Sequence, residues 1–268
     1  MRSAGLVQIL IMLVTGIVLV IGIVCTGIVQ ASTTGLYGYI ANGGSGTVSV
    51  VDTGTDKVVS TITIGSGSYP WGSAVNPTGT TAYIAGYGSS KVYVIDTATS
   101  TITNSIDVAN GPMAVVLDPT GAKAYVTHYG SSTAGNTVSV IDTATNTVTA
   151  TITVGSQPCG IVLNATGATA YVTLYGDNKV AVIDTATNTV TAKIPVGPSP
   201  ANLYINSAGT TVYVANWGGN IASNTVSVID TATNTVTATI TVGSQPCAVA
   251  LNPAETKAYV TNSGSNSV

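Results

Sequence analysis

The 24 residues NTVSVIDTATNTVTATITVGSQPC stand at positions 136–159 and again, letter for letter, at 224–247. Each copy contains two runs rich in Val, Ile and Thr, TVSVID and TVTATIT, in which apolar and small polar residues alternate. Period-two alternation of β-branched residues is the pattern of half-buried strands. The runs are separated by Asp-Thr-Ala-Thr-Asn, whose Asp and Asn bond their own backbone or tolerate positive φ. Gly-Ser-Gln-Pro then closes the unit. A hairpin followed by a Gly/Pro break, duplicated in one chain, makes the repeat the first thing to trace.

Working outward, the tyrosine of a YV or YI pair recurs at Tyr39, Tyr83, Tyr125, Tyr171, Tyr213 and Tyr259, at steps of 44, 42, 46, 42 and 46 residues. The aspartate that closes each VID-like run recurs at Asp52, Asp96, Asp142, Asp184 and Asp230. Tyrosine to aspartate spans 13 or 17 residues, whereas aspartate to the next tyrosine spans 29, or 31 in the first repeat, so the length variation sits in one loop. Each unit carries four strand signals, as in Gly160–Leu163, Ala170–Thr173, Lys179–Asp184 and Thr189–Ile194. Turns such as Asn164-Ala165-Thr166-Gly167 and Gly197-Pro198-Ser199-Pro200 separate them. No helical period is visible after residue 31. A period of 40–50 residues with four short strands predicts an all-β chain, a β-propeller of four-stranded antiparallel blades.

Composition agrees. Charged residues are 6 % of the 268, Phe is absent, and the net charge is −3. A typical domain has roughly 25 % charged residues. Six lysines scattered beyond Arg2 do not form the basic face a nucleic-acid partner requires, so none is expected.

Residues 5–29, GLVQILIMLVTGIVLVIGIVCTGIV, are apolar throughout, and no charge falls between Arg2 and Asp52. This predicts an apolar N-terminal helix, either a signal peptide cut after Ala31 or an uncleaved membrane anchor. In both cases residues 1–31 engage the membrane during export and residues 32–268 lie outside, secreted or at the cell surface.

The runs AYVTNSGSNSV (258–268), TVSVIDTATNTVTATITVG and PCGIVLN together resemble the YVTN-type β-propeller repeat of archaeal surface-layer and cell-surface proteins. The resemblance covers residues 37–268. It implies a radial propeller, commonly of seven blades, on an exported surface protein. This chain departs in length. Blade one is expected to lack an inner strand, because Ala31–Leu36 is not one. Four full blades follow over about 70–242, then an inner and a second strand, ending as a third begins. The expectation is about five blades of a longer ring, truncated within the last. The alternative is a five-bladed ring closed by Ala248–Asn252. An open ring exposes strand edges through which copies can self-associate.

Candidate chemistry is sparse. The inner strands, which line a propeller's channel, begin at Trp71, Met113, Cys159, Ala201 and Cys247 and contain no His or Glu and one Asp, Asp118 at a strand end. Acid–base catalysis and metal binding need converging titratable groups. No catalytic residue, metal ligand or cofactor is therefore expected. The repeated aspartates read as turn caps, and Cys159 and Cys247, two blades apart, as separate thiols too distant to bridge. Asn164-Ala165-Thr166 is the single usable Asn-x-Ser/Thr acceptor sequence of the body. Aromatics instead gather in the loops between second and third strands (Tyr87, His128, Tyr129, Tyr175, Trp217) and in the loop entering a blade (Tyr69, Trp71). These loops share one face, which is the candidate binding surface for a protein or glycan. The function expected is a non-catalytic cell-surface scaffold. The alternative is a lactonase-like or cofactor-binding propeller enzyme whose site lies partly in blades outside this chain.

Overall fold

Alternation of apolar and polar residues along runs of mostly six or seven residues is realised as 22 short strands among the described residues. A computed structural model describes residues 27–28, 37–219 and 223–268. Blade one is β1 (Gly27–Ile28), β2 (Tyr37–Asn42), β3 (Thr47–Asp52) and β4 (Lys57–Thr63). Blade two is β5 (Pro70–Val75), β6 (Thr81–Gly86), β7 (Lys91–Asp96) and β8 (Thr101–Asp107). Blade three is β9 (Pro112–Leu117), β10 (Lys123–His128), β11 (Thr137–Asp142) and β12 (Thr147–Thr153). Blade four is β13 (Pro158–Leu163), β14 (Thr169–Leu174), β15 (Lys179–Asp184) and β16 (Thr189–Pro195). Blade five is β17 (Pro200–Ile205), β18 (Thr211–Asn216), β19 (Thr225–Asp230) and β20 (Thr235–Thr241). A two-stranded unit follows, β21 (Pro246–Leu251) and β22 (Ala258–Asn262). Within each sheet the strands lie in chain order and pair antiparallel, the meander of a propeller blade.

Two expectations need correction or bounding. Blade one does have an inner strand. Gly27 and Ile28 pair with Tyr39 and Gly38, although the sequence assigns them to the apolar leader. An apolar run reads as membrane-seeking until a sheet edge offers it hydrogen bonds. A cut after Ala31 and this pairing exclude each other in the mature chain. The expected N-terminal helix lies outside the described residues. Among those residues no helix is long and apolar enough to cross a membrane.

The turns between third and fourth strands are built as their chemistry dictates. Asp142 Oδ1 accepts from the backbone N–H of Ala144 (3.0 Å) and Thr145 (2.9 Å). Asp184 does the same, and Asp96 and Asp230 accept from the N–H of Thr99 and Thr233. The residue ending each turn takes the left-handed conformation: Asn146 φ 54°, Asn188 φ 54° and Asn234 φ 54°. Asn is among the few residues that adopt it readily. In the fourth strands a bulge releases one threonine per blade. Thr149 Oγ1 donates to the Val140 carbonyl at 3.2 Å, and Thr191 to that of Val182 at 3.3 Å.

The apolar core is a series of layers between successive blades. One layer joins Ala74, Tyr83, Val92 and Val94 of blade two to Val115, Ala124, Val126 and Ile141 of blade three. Equivalent layers join blades one to two, three to four and four to five. The Tyr39 hydroxyl is buried with no hydrogen-bond partner among the described residues, and that of Tyr83 donates to Asn146 Oδ1 at 3.5 Å. At each of these joints the repeat tyrosine lies under the next blade, beside the threonine that follows that blade's aspartate. The pairs are Tyr39 with Thr97, Tyr83 with Thr143, Tyr125 with Thr185, and Tyr171 with Thr231. Burial raises the pKa of all four phenols. Those threonines also tie their own blade together, as in Thr143 Oγ1 to the Gly121 carbonyl at 2.6 Å. Nearer the axis a second threonine bridges neighbours. Thr127 Oγ1 receives the Ala114 N–H (3.0 Å) and donates to the Cys159 carbonyl (2.7 Å). Thr173 Oγ1 likewise receives the Gly160 N–H (2.8 Å) and donates to the Ala201 carbonyl (2.7 Å).

The arc is open at β22. Tyr259 is 52 % exposed where Tyr39, Tyr83, Tyr125 and Tyr171 are 1–3 % exposed. Thr261, the counterpart of Thr127 and Thr173, has a buried hydroxyl with no partner among the described residues. A short bridge from Asn262 to Ser267 stands where a third strand would begin.

Replacing Thr127 or Thr173 by Val strands a buried N–H and carbonyl, and each substitution is expected to cost about 1–3 kcal/mol. Thr261→Val is expected to cost nothing; urea melts of the three variants check this. Backbone bonds, led by that to the following threonine, hold Asp96, Asp142, Asp184 and Asp230 below the ordinary 3.8. A depressed folded pKa contributes stability above the unfolded value that is lost as pH falls through the folded one. The melting temperature is therefore expected to fall below about pH 4, and Asp142→Ala to flatten that fall.

Candidate binding face

The loops carrying the aromatics are stitched to each other by backbone bonds. The N–H of Tyr87 donates to the Tyr69 carbonyl (3.1 Å), Tyr129 to Gly111 (2.9 Å), Tyr175 to Gln157 (3.0 Å) and Trp217 to Ser199 (3.1 Å). The two loop families therefore share one rim, as the sequence predicts. The accepting residue precedes the proline that opens each inner strand, and it is left-handed in every case. Gly111 (φ 66°) suits this. Gln157, Ser199 and Tyr69 (φ 42°) tolerate it under strain.

Six of the seven candidates gather here. Trp71 and Tyr87 lie with ring centroids 6.1 Å apart, Tyr129 meets Tyr175 edge-on at 5.6 Å, and Tyr175 meets Trp217 at 6.1 Å. Tyr87 crosses to blade three, its hydroxyl donating to the Gly130 carbonyl at 2.9 Å. Trp217 reaches the sixth unit, Nε1 donating to Ser263 Oγ at 3.3 Å. The result is an arc of aromatics running from blade to blade. Blade one has Gly43 at the aromatic position, and a side chain there would meet the Trp71 indole. The inner-strand tryptophan fills that place. Tyr69 is the most exposed of the set, at 49 %.

The arc packs on Met113, Cys159, Ala201 and Cys247, with Trp217 buried among them and Trp71, Tyr129 and Tyr175 half-buried on top. Both cysteines are buried and outside any disulfide, and burial pushes the Cys247 thiol up. Burial, with Tyr175 and Cys159 nearby, pushes the Tyr129 phenol upward. Among the described residues no three His, Cys, Asp or Glu side chains converge as a metal site would need.

His128 does not join this face. It is 1 % exposed, between second and third strands, with Nε2 sharing a hydrogen bond with Ser139 Oγ at 2.8 Å. The same position is Asn42 in blade one and Asn216 in blade five, each donating to a serine, Ser49 or Ser227, at 2.9 Å. In blade four the pair is Leu174 and Ala181, both buried. In blade two the Tyr93 ring occupies the space beside Gly86. These pairs fill one pocket in complementary ways, and His128 is one such filler. Seen alone it reads as a loop residue; aligned with Asn42, Leu174 and Asn216 it reads as packing.

No protein-family model matches the chain, and no curated protein does. Among solved structures, hydrazine synthase of Kuenenia stuttgartiensis is similar at TM-score 0.74 and 25 % identity, over 85 % of this chain and 71 % of that one. A functionally unknown protein of Desulfotomaculum acetoxidans is similar at TM-score 0.70 and 17 % identity, over 88 % and 78 %. Both likenesses are of the β-propeller fold.

Desolvation lowers the His128 pKa from 6.5 to about 4. The folded state resists protonation that the unfolded chain accepts, so acidification from pH 6.5 to 4 is expected to cost on the order of 3 kcal/mol. His128→Asn should remove that dependence and keep the fold. His128→Leu should cost about 1–3 kcal/mol by stranding Ser139, and adding Ser139→Ala should recover most of it. Chemical denaturation at three pH values measures all of these.

Proposed function

We propose that this chain is an exported, non-catalytic propeller that acts at the cell surface as a structural and recognition scaffold, with the aromatic arc as its binding face. The two ring groups, Trp71 with Tyr87 and Tyr129 with Tyr175 and Trp217, flanked by exposed Tyr69, carry the reading. Flat rings with polar tips favour a hydroxyl-rich partner, a glycan before a protein. The strained Tyr69 supports it further. An aromatic held where its equivalent is Gly111 costs about 1–2 kcal/mol, which packing alone does not explain at a half-exposed position. The apolar leader supports export, and the YVTN-like repeat supports a surface role.

A second reading, a cofactor-binding or lactonase-like enzyme, draws on the likeness to hydrazine synthase. Among the described residues the inner strands carry no His, Asp or Glu to support it.

Tyr69→Gly separates binding from folding. It is expected to raise stability by about 1 kcal/mol while weakening retention of the chain on isolated cell envelopes and on their released polysaccharide several-fold. Trp217→Ala with Tyr175→Ala should abolish retention. Undiminished retention of both variants would remove the arc from the proposal.

A further inference from the structure

The face opposite the aromatic arc carries the turns between first and second strands, which look interchangeable until their side-chain bonds are compared. In three of them an asparagine is locked at both ends. Asn76 Oδ1 accepts from the N–H of Thr80 (2.8 Å) and Thr81 (3.0 Å) while Nδ2 donates to Thr80 Oγ1 at 3.0 Å. Asn206 Nδ2 donates to Thr210 Oγ1 at 2.9 Å, and Asn252 Nδ2 to Thr256 Oγ1 at 3.0 Å. In blade three the residue is Asp118.

Blade four combines three features that no other of these turns has together, although Thr78 and Thr120 share the position of Thr166, and Ala122 that of Ala168. Ala168 replaces the threonine that holds Nδ2 elsewhere, so Asn164 Nδ2 has no partner among the described residues. Ala165 stands where Pro77, Pro119 and Pro253 stand in other turns. Thr166 supplies a hydroxyl two residues on, which donates to Asn164 Oδ1 at 3.1 Å. Oδ1 also accepts from the Thr169 N–H at 3.2 Å. Ala165 and Thr166 are exposed at the turn's tip. The carboxamide is thus held by its oxygen, with its nitrogen unengaged, inside an Asn-x-Thr sequence free of proline.

We propose that Asn164 is an N-glycosylation site of the exported chain. The proposal rests on the export reading, because the modification occurs on the far side of the membrane. The donor is a lipid-linked oligosaccharide phosphate and requires a transferase. Nδ2 attacks C1 of the donor sugar, an N–C1 bond forms, and the C1–O bond to phosphate breaks with its electron pair leaving on the lipid phosphate. One Nδ2 proton passes to the transferase's base. No other asparagine of the body has both the sequence and a free nitrogen. The glycan stands on the face away from the aromatic arc and leaves the arc open.

The test is a peptide map by mass spectrometry of the full chain recovered from its source cells, with protease accessibility reporting export. The expected result is a saccharide mass on the Asn164 peptide, lost in Asn164→Gln and Thr166→Ala and kept in Thr166→Ser. An exported chain with bare Asn164 overturns the proposal. If the chain proves not exported, the purified full chain is incubated with an oligosaccharyltransferase and a lipid-linked oligosaccharide. Modification there upholds Asn164 as an acceptor while the export reading fails; a bare Asn164 overturns both.

Discussion

The structure depends on the joint between successive blades. A blade is a single twisted sheet with two apolar faces and cannot bury either alone; each face is covered only by the neighbouring blade. The repeat tyrosine recurs at these joints, and at the joints of blades three to four and four to five Thr127 and Thr173 add a bridge. The tyrosine delivers a large ring into the layer, and the apolar area it buries there offsets the cost of burying its hydroxyl. Thr127 and Thr173 satisfy one backbone group on each side of the seam, where the bulged inner strand has left an N–H unpaired. The orphaned hydroxyl of Thr261 shows the same device with nothing to bridge.

Such an architecture is quasi-one-dimensional. Each blade answers to two neighbours, and stability grows by joints rather than by a common centre. The axis is therefore left for other uses. Here one rim carries aromatics whose positions are inherited from the repeat in blades two to five, Tyr87, Tyr129, Tyr175 and Trp217. The regular array is modified where the repeat fails, with Trp71 leaning over Gly43. The same economy appears between second and third strands, where Asn–Ser, Gly–Tyr, His–Ser and Leu–Ala pairs fill one pocket.

Features that depend on local chemistry were legible in the sequence. The Asp-Thr-Ala-Thr-Asn turns fold as predicted because the aspartate, its backbone partners and the left-handed asparagine lie within five residues. The strand assignments and the shared aromatic rim follow from period and spacing. What was not legible depends on residues far apart. The burial of His128 requires knowing that Ser139 reaches it across a strand pair. The inner strand at Gly27–Ile28 is hidden inside an apolar run whose composition favours lipid as strongly as a sheet. The asymmetry among the asparagine turns is visible in sequence only as an alanine at 168, and that alanine has meaning only once Thr80, Thr210 and Thr256 are seen to hold their asparagines' nitrogens.

The identical segments at 136–159 and 224–247 lie 88 residues, two blades, apart. They span a third strand, a fourth strand and the first two residues of the next inner strand, so each runs across a blade boundary. If the coding DNA is as similar as the protein, unequal crossing-over between the two copies would insert or delete a two-blade unit in frame. The tyrosine, threonine and aspartate at either splice would meet the same partners as before. Chain length in this lineage is then free to drift by pairs of blades at the genetic level without a single joint having to be reinvented.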